Sequence, residues 1–286
     1  MGQCAQTKCE KILYPAEISE ALALGDSVAV ISVSGGRTHS GLVTDQGECY
    51  TWGGNEMGQL GLPSVDKGTH KPEKVTELEV AVVRIACGYN QTLFLAEDKT
   101  VLACGYNELN QLGVEEETEI VDLPIPVRGI DEPVSELYIS NFLCVLSEGR
   151  SMYIWGDTPN GLFVRPEKIN GLAEIVSQVA IGEDLICIMD INNFLYSWGR
   201  NESGQLGLGN TEPQKDACSI EALNDREVTS IFAGKNFLVA LGKGKANKSD
   251  NPLLASAQLE GEQEAEENYE EEDSRGYYEE VVLDVN

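Results

Sequence analysis

Two histidines and eight cysteines are the residues of this 286-residue chain best suited to proton transfer, nucleophilic attack or metal ligation. Their spacing supplies little of that chemistry. His70 lies in a polar stretch with no serine or cysteine partner, and the sequence offers no hydrolytic triad and no glycine loop that would cradle a phosphate. No C-x-x-C pair occurs, and the one close pair, Cys4 and Cys9, has no histidine beside it, so neither a metal site nor a cofactor is expected. Cys49, Cys87, Cys104, Cys144 and Cys187 fall inside apolar runs and read as reduced core residues. Covalent chemistry is suggested only at the start of the chain. Met1-Gly2-Gln3-Cys4 is similar to an N-myristoylation signal on Gly2 with a palmitoylation site at Cys4, although Gln6 stands where Ser or Thr is usual and Thr7 comes one step late. Stable membrane attachment would need both chains, because one acyl group binds weakly.

The elements that would position any site are set by repetition. The phrase Trp52-Gly-Gly-Asn-Glu-Met-Gly-Gln-Leu-Gly61 returns as Cys104 to Gly113, in shortened form as Trp155 to Leu162, and again as Trp198 to Gly207. A second phrase keeps step with it: an apolar strand ending at Gly36, Gly88, Ser140, Gly182 and Gly234, spaced 52, 52, 42 and 52 residues apart. A period near fifty built from short apolar runs and glycine turns predicts blades of β-sheet, since one blade cannot bury its own faces.

In the second unit the predicted strands are Pro72 to Leu78, Val80 to Cys87, Gln91 to Ala96 and Thr100 to Tyr106, with the continuous apolar run innermost. Asn55, Asn107 and Asn201 are suited to closing local backbone hydrogen bonds, and the leucine of Gly-Gln-Leu-Gly to inserting between neighbouring blades. Trp52, Cys104, Trp155 and Trp198 are the expected packing anchors. In the third unit only Phe163 to Arg165 separate the signature from the next strand, which accounts for the single short step.

This reading divides the chain into an N-terminal segment (1–12), a repeat array (13–243) and an acidic tail (244–286), the last read as largely disordered. Four units are complete; a fifth, Pro213 to Leu241, stops before its last strand. Either a smaller ring or an open array follows, and an open array presents edges through which copies could self-associate. Tyr277 to Val285 is the one strand-like part of the tail and could supply the missing strand. Tyr269, Tyr277 and Tyr278 sit among glutamates, a setting open to phosphorylation, to basic partners or to a purely solubilising role.

Forty-eight acidic residues against 20 basic ones give a formal charge of −28. That charge repels polyanions, so nucleic acid is excluded as a partner and proteins with basic surfaces are favoured. With no apolar run long enough to span a bilayer and no secretory signal, a cytoplasmic location is expected, membrane-associated if Gly2 and Cys4 are acylated.

The repeated phrases resemble the RCC1 repeat, the unit of regulator-of-chromosome-condensation-like propellers, with a G-x-x-H turn followed by W-G-x-N-x-x-G-Q-L-G. Gly36-Arg-Thr-His39 and the signatures at Trp52 and Trp198 carry the resemblance. It implies an all-β, RCC1-like β-propeller or partial propeller. The family's founding member is an exchange factor for a small nuclear GTPase, so the resemblance also implies guanine-nucleotide exchange, with a small GTPase as partner, as an alternative function. The residues that would carry exchange here are His39 and Asp184. Gln91, Leu143, Leu185 and Phe237 replace the histidine in the other repeats, and His39 has a structural role open to it, bonding the next turn within its own blade. The reading favoured is a protein-interaction platform that is not an enzyme.

Overall fold

Short apolar runs separated by glycine and polar turns become strands, and four strands at a time become one antiparallel sheet. The computed structural model describes residues 28–170 and 176–243, and 279–282 as backbone. The first blade contains β1 (Val30–Gly35), β2 (His39–Thr44), β3 (Cys49–Gly54) and β4 (Gly68–Lys74). The second contains β5 (Val82–Cys87), β6 (Gln91–Ala96), β7 (Val101–Tyr106) and β8 (Ile120–Pro126). The third has β9 (Val134–Ile139), β10 (Phe142–Ser147), β11 (Met152–Thr158) and β12 (Gly161–Lys168). The fourth has β13 (Val176–Ile181), β14 (Leu185–Asp190), β15 (Leu195–Gly199) and β16 (Gln214–Ser219). Successive first strands lie against one another, β1 on β5, β5 on β9, β9 on β13 and β13 on β17 (Glu227–Ala233). The chain is thus an all-β partial propeller.

Three sequence expectations need correction. The proline-led strand at Pro72 is an edge strand, but it closes the preceding blade: Tyr50 pairs with Lys74 and Gly53 with Thr69. The signature segment folds back on its own blade, and the crossover to the next blade comes only after β4. Second, the run Val80 to Cys87 does lie at the inner edge, with β5 against β1 and β9, but the most deeply buried strand of the blade is the second. Every residue of β6, β10 and β14 is buried, whereas β9 is mostly half-buried and β1 largely exposed. A second strand has neighbours on both edges as well as blades on its faces; a first strand has one free edge. Third, Phe163 to Arg165 form no loop. β11 and β12 are joined by a two-residue turn at Pro159-Asn160, and Phe163 pairs with Gly156 inside the sheet.

The fifth sheet shows how the array ends. β17 and β18 (Leu238–Lys243) pair as the first two strands of a blade. β19 (Glu279–Val282) then lies antiparallel to β18, with Val239 opposite Val282 and Gly242 opposite Glu279. The acidic tail thus supplies the strand that the fifth unit lacks, in the position β15 holds in the fourth. Gly2 and Cys4 lie outside the described residues. At the two ends of the array apolar side chains face outward: Val33 of β1 is 73% exposed and Phe232 of β17 57%. Deleting residues 276–286 should uncover the edge of β18, lowering thermal stability and promoting concentration-dependent association. Differential scanning calorimetry and light scattering check this; an equally stable, equally monomeric truncation would contradict it.

Candidate interaction site on the blade turns

The turns between first and second strands are the G-x-x-H positions, and those of the first and fourth blades are bonded to the turn of the next blade. Arg37 N donates to Gly88 O at 3.0 Å, and Glu183 N to Lys235 O at 2.9 Å. Gly36 permits this approach, since a Cβ there would lie 2.2 Å from Gly88 O. Side-chain bonds between first strands reinforce the stacking. Cys87 N donates to Ser34 Oγ at 2.9 Å, and Ile231 N to Gln178 Oε1 at 3.2 Å.

On this frame the turns display charge. Arg37, exposed, stacks over the Tyr89 ring with 4.4 Å to its centroid. Lys235 pairs with Glu183 at 2.9 Å, and Arg200 with Asp184 at 3.1 Å. Lys235 holds the Glu183 carboxyl below its usual range, and Glu183 raises Lys235 in return. Such surface pairs stabilise a fold by little, on the order of 0–1 kcal/mol, so their charges remain available for exchange with a partner's.

His39 is placed differently. Its side chain is fully buried between the first two blades, with Nε2 2.7 Å from Thr92 Oγ1. Thr92 spends its single hydroxyl proton on Gln59 O at 2.6 Å, so it can only accept from His39. The ring is therefore the neutral Nε2–H tautomer, and protonation would put a charge on Nδ1, which is buried without a partner. Burial pushes the His39 pKa from 6.5 down to about 4. Because the folded-state value lies below the unfolded one, the unfolded chain takes up the proton first and stability falls as pH drops through that window. Between about pH 7 and about pH 4.5 the loss attributable to His39 should be roughly 2 kcal/mol. His39→Gln, which copies the residue the second repeat carries at this position, should flatten that part of a urea-denaturation pH profile.

His39 and Asp184 thus share no partner: one is sealed between blades, the other sits half-buried on a fourth-blade turn beside Arg200. Among the described residues no group of three or more His, Cys, Asp or Glu side chains is arranged to hold a metal. Cys49, Cys87, Cys104, Cys144 and Cys187 are free and buried, and burial raises the Cys87 and Cys187 thiols to about 12, far from thiolate chemistry.

In the first, second and fourth blades the signature segment forms an arm that reaches to the next blade before the chain returns to pair as the fourth strand of its own. Asn107 Oδ1 accepts from Leu112 N at 3.0 Å while its Nδ2 donates to Glu116 O and Thr118 O; Asn55 and Asn201 bracket their arms in the same way. Gln59, Gln111 and Gln205 each accept a backbone N–H two residues earlier at 2.9 Å. Leu60, Leu112 and Leu206 are driven fully inside. The arm then meets the anchor of the following blade: Trp155 Nε1 donates to Leu112 O at 3.0 Å, and Cys104 Sγ faces Gln59 O. Trp52, Cys104, Trp155 and Trp198 are all buried. Sequence reasoning foresaw the leucine and the anchors but missed the direction of the arm and the Thr92 relay.

Stacked four-stranded sheets, linked turn to turn and arm to anchor, define a repeat protein of the β-propeller class. The RCC1 repeat (regulator of chromosome condensation) matches residues 46–95 and 192–241, and a second RCC1 repeat pattern matches 30–59 and 82–111. Residues 30–111 and 192–241 of the chain thus carry matches to the RCC1 repeat. It is 28% identical over 262 residues to the secretion-regulating guanine nucleotide exchange factor of Mus musculus, covering 84% of this chain and 55% of that protein. It is 29% identical over 233 residues to the E3 ubiquitin-protein ligase HERC2 of Homo sapiens, covering 76% of this chain and 5% of that protein. Among solved structures it is similar to Prp20p from Saccharomyces cerevisiae, described by its binding properties to Gsp1p and histones. The TM-score is 0.68 at 21% identity, covering 83% of this chain and 60% of that one. The chain therefore spans only about half of the first relative and a small part of the second.

Proposed function

We propose that this chain is a protein-interaction platform without catalysis of its own, and that partners dock on the face carrying the first-to-second-strand turns. The observation that carries the reading is the contrast on that face. Arg37, Glu183, Asp184 and Lys235 are presented on turns bonded to a neighbouring blade's turn, with Arg200 beside Asp184, while the histidine of the repeat motif is sealed beneath. Loops on a rigid frame suit recognition. The formal charge of −28 favours basic protein surfaces and a salt-sensitive affinity.

A second reading, guanine-nucleotide exchange on a small GTPase, is favoured by the name of the mouse relative. Asp184 would then contact the GTPase, with His39 acting only as a support for the turn above it.

Cross-linking the native protein and identifying the attached peptides tests the platform reading. Cross-links should concentrate on the turn face, and affinity for the partner recovered should fall at least several-fold when ionic strength is raised. The double substitution Glu183→Lys, Asp184→Lys should weaken that partner further. Cross-links confined to other faces, or an affinity indifferent to salt and to the double substitution, would contradict it.

A further inference from the structure

The third blade lacks the arm that every other complete blade sends forward. Its signature stops at Thr158, whose hydroxyl donates to Gly161 O at 2.7 Å and closes a hairpin, so no Gly-Gln-Leu-Gly reaches the fourth blade. Where arms are present their landing site is defined. Gly61 of the first arm lies against Pro124 and Cys104, and Gly113 of the second against Pro166 and Trp155. The corresponding residues of the fourth blade are Ala217 and Trp198.

A cleft of about 450 Å³ stands at that place. Phe163, Ile169, Trp198 and Ala217 form its apolar walls, with Lys215 and Asp216 at its fourth-blade edge. In the third blade the indole N–H of Trp155 is satisfied by the Leu112 carbonyl of the arm above it. The Trp198 indole has no acceptor of that kind among the described residues. A volume of this size falls within the range of ligand pockets, and one leucine with its flanking backbone would occupy much of it.

We infer that this cleft is a binding site for a partner polypeptide, which inserts a leucine carried on a tight turn and offers that residue's backbone carbonyl to Trp198 Nε1. The occupant is specified by the array itself, because three arms of the same chain bury Leu60, Leu112 and Leu206, and in the second of them the leucine carbonyl accepts from Trp155 Nε1. An occupant that covered the Trp198 indole N–H without offering an acceptor would leave it unpaired at a cost, so a turn that brings both leucine and carbonyl suits the site better than an apolar side chain alone. The inference deepens the interaction-platform reading and rests on it, but it places the contact between two blades rather than on the charged turn face.

The test uses the full chain and a fluorescein-labelled cyclic peptide carrying Asn-Glu-Ser-Gly-Gln-Leu-Gly, the arm sequence of residues 201–207. Anisotropy should show saturable binding with Kd below about 1 mM. It should be abolished when the peptide's leucine is replaced by alanine, and blocked by Ala217→Trp, which fills the cleft from its wall. Trp198→Phe, checked for intact fold by circular dichroism, should weaken binding about tenfold, the loss of one hydrogen bond to a buried donor. The turn-face double substitution Glu183→Lys, Asp184→Lys should leave peptide affinity unchanged, so failure of the cleft and failure of the platform are separately visible. Absence of saturation up to about 1 mM, or binding indifferent to Ala217→Trp and to the peptide's leucine, would overturn the inference.

Discussion

Trp155→Ala is expected to destabilise the protein by about 3 to 5 kcal/mol, the range for emptying a fully buried tryptophan site. Trp155 is 0% exposed and is packed with Leu112, Leu143 and Tyr153 in the core between the second and third blades. Its loss removes apolar contacts on both sides and leaves the Leu112 carbonyl without its donor. In a chain of this size such a change should lower Tm by about 6 to 20 °C. Trp155→Phe keeps most of the ring and loses the N–H, so a smaller cost is expected, about 1 to 2 kcal/mol. Because each blade touches only its neighbours, hydrogen exchange should accelerate first in β7, β8, β10 and β11. A Trp155→Ala protein that melts with the wild type would show that arm-to-anchor packing does not hold the array together.

Gly105→Ala should be nearly as damaging, by about 3 kcal/mol, although it adds a single methyl group. Gly105 has φ of 119°, where side chains are strained, and a Cβ there would stand 2.2 Å from Asn90 O and 2.8 Å from Gln91 Cα. Both obstacles are backbone, so no rotamer change relieves them. The exposed Gly209, whose Cβ would meet nothing within 4 Å, provides the control; Gly209→Ala retains only the backbone strain of its φ of 73°. Chemical denaturation of the two variants side by side should separate steric from conformational cost, with Gly105→Ala the less stable.

The blades, their number and their anchors could be read from the sequence because each depends on local pattern. An apolar run of six residues, a glycine that follows a tryptophan and an asparagine three positions after that anchor all act within one unit. The strand at Pro72 was assigned to the wrong blade because a strand's sequence does not say which neighbour it pairs with. That choice is made by the arm between them, which folds back through Asn55 and Gln59. The role of His39 was half legible. Its repeat position pointed to a structural bond, expected within its own blade; the acceptor is instead Thr92 of the second blade, 53 residues away, which only stacking of blades brings near. The cleft at Trp198 follows from a deletion that the spacing revealed at once. Its consequence could not be seen until the landing site on the fourth blade was known.

The measurement that bears most directly on the platform account is nucleotide release from small GTPases, those recovered by cross-linking and a panel of purified ones, each loaded with a fluorescent guanine nucleotide. The account predicts that the chain binds its partners without accelerating release from any GTPase it contacts, and that Asp184→Ala changes nothing in the release rate. Strong acceleration that disappears in Asp184→Ala, with the fold of that variant intact by circular dichroism, would contradict the platform and establish the exchange reading in its place.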